Sequence, residues 1–217
     1  MKINFGSKVY ESQSPVTVYD AAKEAGLADR SVIAATVGGK VVALTYTIES
    51  DTDVKLLTFS DKEGAHVFRH TASHILAQAV KRLYPEVKLT IGPALDDGFY
   101  YDFDSEIAFT PEVLKKLEDE MKKIVNELPE EATISFYRQG EFTDLCAGPH
   151  LFSTGIVKAV KLTQCTGAYW KGDQKNKQLQ RIYGTAFPSK DELNAYLTML
   201  EEARKRDHNK IGRELEY

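Results

Sequence analysis

The chain has 217 residues, 42% of them hydrophobic and 28% charged, with a formal net charge of −4. That length allows one large domain or two small ones with a real core, and the charge does not advertise nucleic-acid binding. No apolar run approaches the roughly 20 residues that span a bilayer, and MKINFGSKVY has no signal-peptide core. The expected compartment is the cytoplasm, where no disulfide between Cys146 and Cys165 is expected.

In chain order, KINF and KVYE read as two short strands around a Gly6–Ser7 turn. Thr17 caps a short helix, with Asp20 at the third helical position and Gly26 at its end. VIAATVGGKVVAL reads as two β-branched runs around Gly38–Gly39, and DVKLLTF is a last strand. The order ββαββ(β) predicts a ubiquitin-like β-grasp over residues 1–62, with the charged SDKEG at its boundary.

Residues 63–217 predict a larger α+β unit with an antiparallel sheet and flanking helices, so the chain is α+β throughout. Its first helix runs from about Glu63 to Leu83 and ends before Pro85, with Val67, Ile75, Leu76, Ala79 and Leu83 as its apolar stripe. VKLTIG and GFYYDF read as strands. Thr110 caps the next helix and Pro111 opens it, with apolar 3–4 spacing from Leu114 to Leu128. Strand-like runs return at ATISFYRQ, IVKAVKLTQ, GAYWKG and LQRIYGTAF. A Ser189–Glu192 capping box opens the last helix. Its charged tail has no stop signal, as expected of a piece of something longer.

Two short stretches carry chemistry. In HTASH, His70 and His74 are four apart on one helical face, and His66 extends the series by a turn. Such a pair can share a zinc ion or a substrate, or can simply sit on a helix rim. In DLCAGPH, Asp144, Cys146 and His150 surround a Gly148–Pro149 turn that can aim the thiol and the imidazole into one cleft. Three histidines and a cysteine suit tetrahedral zinc. With an acid beside them they suit hydrolysis by a positioned water equally well. The plainer alternative makes Cys146 a small buried hydrophobe.

Tyr100 and Tyr101 are adjacent in a predicted strand, so they face opposite ways and one is free to line a pocket. Cys165 has no histidine neighbour and reads as structural. From Lys158 to Arg181, Lys158, Lys161, Lys171, Lys175, Lys177 and Arg181 stand against a single acid, Asp173, with Tyr169 and Trp170 among them. Cations interleaved with aromatics can contact phosphates and stack on bases; a solvated hairpin face is the alternative.

RHTASHILAQAVKRLYP, IGPALDDGFYYDF, FTDLCAGPH and TGAYWKGDQKNKQLQRIYGTAF together resemble the N-terminal region of bacterial threonyl-tRNA synthetase, over essentially the whole chain. The resemblance implies a TGS domain at 1–62 and an editing domain at 63–217 that ends in the start of a linker helix. It implies tRNA(Thr) as partner and hydrolysis of mischarged seryl-tRNA(Thr) as the task. A missing methyl gives only about 1–3 kcal/mol of discrimination, so a second site is needed. It assigns editing to His70, His74, Asp144, Cys146 and His150, and substrate contact to Tyr101. Lys158, Lys161, Tyr169, Lys171 and Arg181 of the basic stretch are the expected RNA contacts.

No cofactor is implied for editing. A zinc ion on His70, His74, Cys146 and His150, as in alanyl-type domains, is the alternative. ATP and the zinc of the aminoacylation core belong to parts absent from this chain, which would form the rest of the synthetase; no membrane is expected as partner. One departure stands out. Family members usually carry a longer segment, often with a Tyr-Lys pair, between the MKKIV helix and FTDLC, and here the two are joined directly. Loss of an editing lysine would leave a tRNA-binding module without turnover.

Overall fold

The computed structural model describes residues 1–127, 138–139, 142–143, 146 and 148–214. The first 57 residues form strands β1 (Lys2–Asn4), β2 (Val9–Glu11), β3 (Val16–Thr17), β4 (Ala34–Val37), β5 (Lys40–Val42), β6 (Thr47–Ile48) and β7 (Thr52–Leu57), with helix α1 (Val18–Glu24). Thr17 caps α1 by accepting from the Asp20 N–H, as its position predicts. Five strands make one sheet in the order β2-β1-β7-β4-β5, in which β1 and β7 run parallel and the other neighbours antiparallel. Gly38 and Gly39 turn β4 into β5 at φ values of 56° and 79°, a conformation that favours glycine at both positions.

Ile3, Val18, Ala21, Ala35, Leu44, Ile48 and Val54 fill the core of this first part. Ile33, Ala34 and Leu57 instead join Val67, Phe68 and Leu76 in the larger core beyond it, so the first sheet packs directly against the next helix.

That helix is α2 (Lys62–Leu83), followed by β8 (Lys88–Leu89), β9 (Phe99–Asp104), α3 (Pro111–Glu127), β10 (Arg138–Gln139), β11 (Phe142–Thr143), β12 (Ala159–Tyr169), β13 (Gln178–Phe187) and α4 (Lys190–Glu214). A four-stranded antiparallel sheet, β12-β13-β9-β8, carries α2 and α3 on one face. Phe99, Tyr101, Phe103 and Ile182 alternate onto that face and are buried there.

Three sequence expectations change. The stripe assigned to α2 is too narrow: every residue from Thr71 to Val80 is buried, because the helix lies between two sheets, whereas Leu83 at its end is 38% exposed. VKLTIG pairs only through β8, and Thr90 and Ile91 continue as a loop bonded to Asp102. IVKAVKLTQ and GAYWKG are not separate strands. A 3₁₀ turn covers Thr154–Ile156, one strand runs through Ala159–Tyr169, and a second 3₁₀ turn follows at Trp170–Gly172. Asp144, Leu128 and all but the last two residues of ATISFYRQ lie outside the described residues.

Candidate active site

The site is built on α2. Because this helix is enclosed, His70 and His74 are held against the core rather than on a rim, His74 only 4% exposed and His70 half-buried, while His66 one turn earlier is exposed. One turn of helix brings the Nε2 atoms of His70 and His74 to 3.1 Å, and the rings stack at 28°.

The CAGPH turn arrives from across the fold. The Leu151 N–H donates to Thr71 Oγ1 at 3.0 Å, which fastens the residue after His150 to α2 inside the histidine pair. Cys146 Sγ then lies 3.1 Å from His70 Nε2, and the His150 ring sits 5.1 Å from both the His70 and the His74 ring. Ser73 Oγ, between the two histidines in sequence, lies 2.6 Å from Gly92 O and 2.8 Å from His70 O. It ties the loop before β9 to the same turn of helix. A Cβ at Gly92 would come within 2.1 Å of the Tyr101 ring, so only glycine lets this loop close over the tyrosine.

The electrostatics follow from this crowding. Burial pushes the Cys146 thiol up, but hydrogen bonds from His150, His70, His74 and the Gly148 N–H outweigh it and hold the group at about 3. Cys146 is therefore a thiolate at neutral pH. Burial depresses the basicity of His150, against the pull of the thiolate, and keeps its imidazole neutral at pH 7. Burial lowers His66 in the same way, with the neighbouring His70 adding to it.

Of the residues singled out in the sequence, His70, His74, Cys146 and His150 come together, with one donor atom from each within 4.8 Å of all the others. A tetrahedral zinc shell, with Zn–N of about 2.0 Å and Zn–S of about 2.3 Å, places donor atoms about 3.3–3.6 Å apart, so the four residues fit such an ion. Tyr101 belongs beside them, its ring 6.3 Å from that of His74. Asp144 lies outside the described residues.

The basic stretch lies elsewhere, and Lys161, Lys177 and Arg181 of its six cations form ion pairs. Arg181 grips Asp102 through Nε and Nη2 at 2.7 and 2.9 Å and stacks 3.8 Å over Tyr100, on the sheet face opposite Tyr101. Lys161 pairs with Glu118 and Lys177 with Asp104. Lys158 borders a cleft of about 400 Å³ shared with Tyr19, Arg30 and Phe152. Tyr169 and Trp170 are exposed at the β12–β13 hairpin tip, with Lys171 beside the indole. Cys165 is half-buried on β12, and burial pushes its thiol up. Thr71 and Ser73 are the positions that sequence reasoning passed over. HTASH gives no signal for them, because their partners are backbone groups of the segments at Leu151 and Gly92.

An α2-borne histidine pair closed by a Cys-His turn, on an antiparallel sheet, defines a class. Residues 134–183, which include Cys146, His150 and Arg181, match the threonyl and alanyl tRNA synthetase second additional domain. At the level of the whole chain, 96% of it is similar to the threonine–tRNA ligases of Clostridium tetani (51% identity), Clostridium kluyveri (49%) and Acetivibrio thermocellus (51%). Across nearly its whole length the chain is therefore a threonyl-tRNA synthetase region, and it spans 38% of the length of these relatives. The alignments run over 242 positions, whereas 96% of 217 residues is about 208, so about 34 positions in each relative have no counterpart here.

Proposed function

We propose that this region proofreads, hydrolysing the ester of seryl-tRNA(Thr) and sparing threonyl-tRNA(Thr). The observation that carries the reading is the convergence of His70, His74, Cys146 and His150 at one point. The second-additional-domain match and the threonine–tRNA ligase relatives support tRNA as the substrate carrier.

In this reading the neutral His150, or His74, takes the proton of an attacking water, and His70 orients that water against the terminal ribose. The Cys146 thiolate and Asp144 hold the seryl ammonium and hydroxyl. The wall formed by Tyr101 and Gly92 excludes threonine's extra methyl group, so specificity comes from a clash as well as a fit. Exposed Tyr169, Trp170 and Lys171 at the hairpin tip reach RNA, whereas Lys161 and Arg181 are committed to Glu118 and Asp102. Residues 1–62 are read as the TGS β-grasp, in keeping with a mixed sheet whose β1–β7 pair is parallel beside one helix. The second unit begins at about residue 63, and cytoplasm is the proposed compartment. Among the described residues no helix is long and apolar enough to cross a membrane.

A second reading is favoured by one observation, the fit of the four donors to zinc. With all four as ligands, the tetrahedral shell is closed and leaves no open position for water. A metal so held supports structure and takes the side chains away from the hydrolytic roles given above. Elemental analysis of the purified chain separates the readings. One zinc per chain, lost together with fold stability on chelation, supports the second; hydrolysis that survives chelation supports the first.

A further inference from the structure

Arg69, next to His70, is a buried cation that the chemistry above does not use. It is 7% exposed, and among the described residues its Nε has no hydrogen-bond partner. Its guanidinium packs against two aromatic rings that also touch each other, 5.2 Å from the Phe59 centroid and 5.5 Å from that of Phe187, with the two centroids 5.6 Å apart. Nη1 donates to the Asp96 carbonyl, in the loop whose Gly92 carbonyl is held by Ser73. Phe59 follows the last strand of the first sheet and also packs edge-on against Phe68 of α2. Phe187 ends β13 and packs against Tyr196 of α4. Thr185 adds a second tie to the loop through the Asp97 carbonyl.

One side chain thus joins the first sheet, the histidine helix, the loop over Tyr101, the end of β13 and, through Phe187, α4. A planar cation is suited to this role. It packs a flat, weakly hydrated cation against the corner the two rings make and offers an N–H edge to a carbonyl, which neither an aliphatic chain nor a lysine ammonium does together. Burying it with Nε unbonded is unfavourable in itself, so stability alone does not explain the choice of arginine.

We propose that Arg69 is a positioning residue: it clamps α2 and the Ile91–Gly98 loop together, and so sets where His70 and His74 stand relative to Cys146 and Tyr101. As a role in hydrolysis this rests on the proofreading reading above. As a statement about imidazole geometry it does not.

The test compares the full chain with its Arg69→Met variant in two ways. Long-range ¹H–¹⁵N spectra report the ring nitrogens of His70 and His74, and single-turnover hydrolysis of seryl-tRNA(Thr) reports the rate and its half-saturating concentration. The variant is expected to stay folded, to shift the His70 Nε2 resonance, and to lose about ten-fold in maximal rate with half-saturation changed less than two-fold. Arg69→Lys, which keeps charge but not the plane, is expected to recover only part of the rate. Unchanged ring nitrogens in a folded Arg69→Met variant overturn the proposal and leave Arg69 as a stabilising residue. If the parent chain does not hydrolyse the ester, the proofreading reading fails, and the nitrogen spectra alone decide this one. If Arg69→Met does not fold, Phe187→Leu removes one ring face instead. A shift of the same resonance supports the clamp and an unchanged spectrum overturns it.

Discussion

Cys146 Sγ stands 3.1 Å from His70 Nε2, although 76 positions separate the two residues in the chain. The contact joins α2 to a segment distant in the chain, and it adds to the hydrogen bonds, that of His150 foremost, which hold the thiol as a thiolate. Cys146→Ala and His70→Ala are each expected to lower seryl-tRNA(Thr) hydrolysis by about 100-fold or more, the scale of a lost acid–base or orienting group. Circular dichroism should show both variants folded, since neither side chain is fully buried.

The two cysteines should differ sharply in reactivity. Cys146, held at about 3 by its imidazole neighbours, should be alkylated by iodoacetamide even at pH 5. Cys165, whose thiol burial pushes up, should stay unmodified there. Peptide mass mapping after a timed pulse reads both sites at once.

Acid should weaken the site in two ways. His150 has its basicity depressed by burial, so hydrolysis should hold through the ordinary imidazole range and fall only at the lower pH where His150 is protonated. For stability, the depressed Cys146 binds fewer protons folded than unfolded. Its contribution is complete above the thiol's ordinary value of 9.0 and shrinks as pH falls, vanishing near 3. Buried neutral His150 acts in the same direction. The melting temperature should therefore drop between pH 8 and pH 5, with a shallower slope in Cys146→Ala.

Gly92→Ala places a methyl group within 2.1 Å of the Tyr101 ring. Either the loop or the ring must move, at a cost of about 1–3 kcal/mol. Denaturant unfolding measures the loss. Hydrolysis should fall with it, because the displaced groups form the wall of the proposed pocket.

Cations of the basic stretch should separate into two kinds. Lys171→Ala at the hairpin tip should leave stability unchanged, weaken tRNA binding and reduce the salt slope of binding by about 1. Arg181→Ala should instead cost roughly 3 kcal/mol of stability, because it strands Asp102, whose side chain is only 3% exposed.

Local signals were legible wherever the chain contacts itself nearby. Thr17, Pro111 and the Ser189–Glu192 pair marked helix starts because capping is settled within three residues. The four-residue spacing of His70 and His74 likewise announced one helical face. Long-range facts were not legible. The ion pairs of Lys161 and Arg181 could not be foreseen because their partners, Glu118 and Asp102, lie 43 and 79 positions away. The α2 stripe was drawn too narrow because helical periodicity reports one buried face, and this helix has sheets on two sides. Thr71, Ser73 and Gly92 escaped notice because their roles are ties to backbone groups that the sequence does not reveal.

The missing 34 or so positions bear on the same question. If an editing lysine lay among them, the cluster on α2 must act without it. The direct measurement is deacylation of seryl-tRNA(Thr) and threonyl-tRNA(Thr) by this chain in parallel. Rapid loss of serine with threonine retained is the predicted result, and it would show that the residues of this chain suffice. Retention of both esters would contradict the account and leave a tRNA-binding region without turnover.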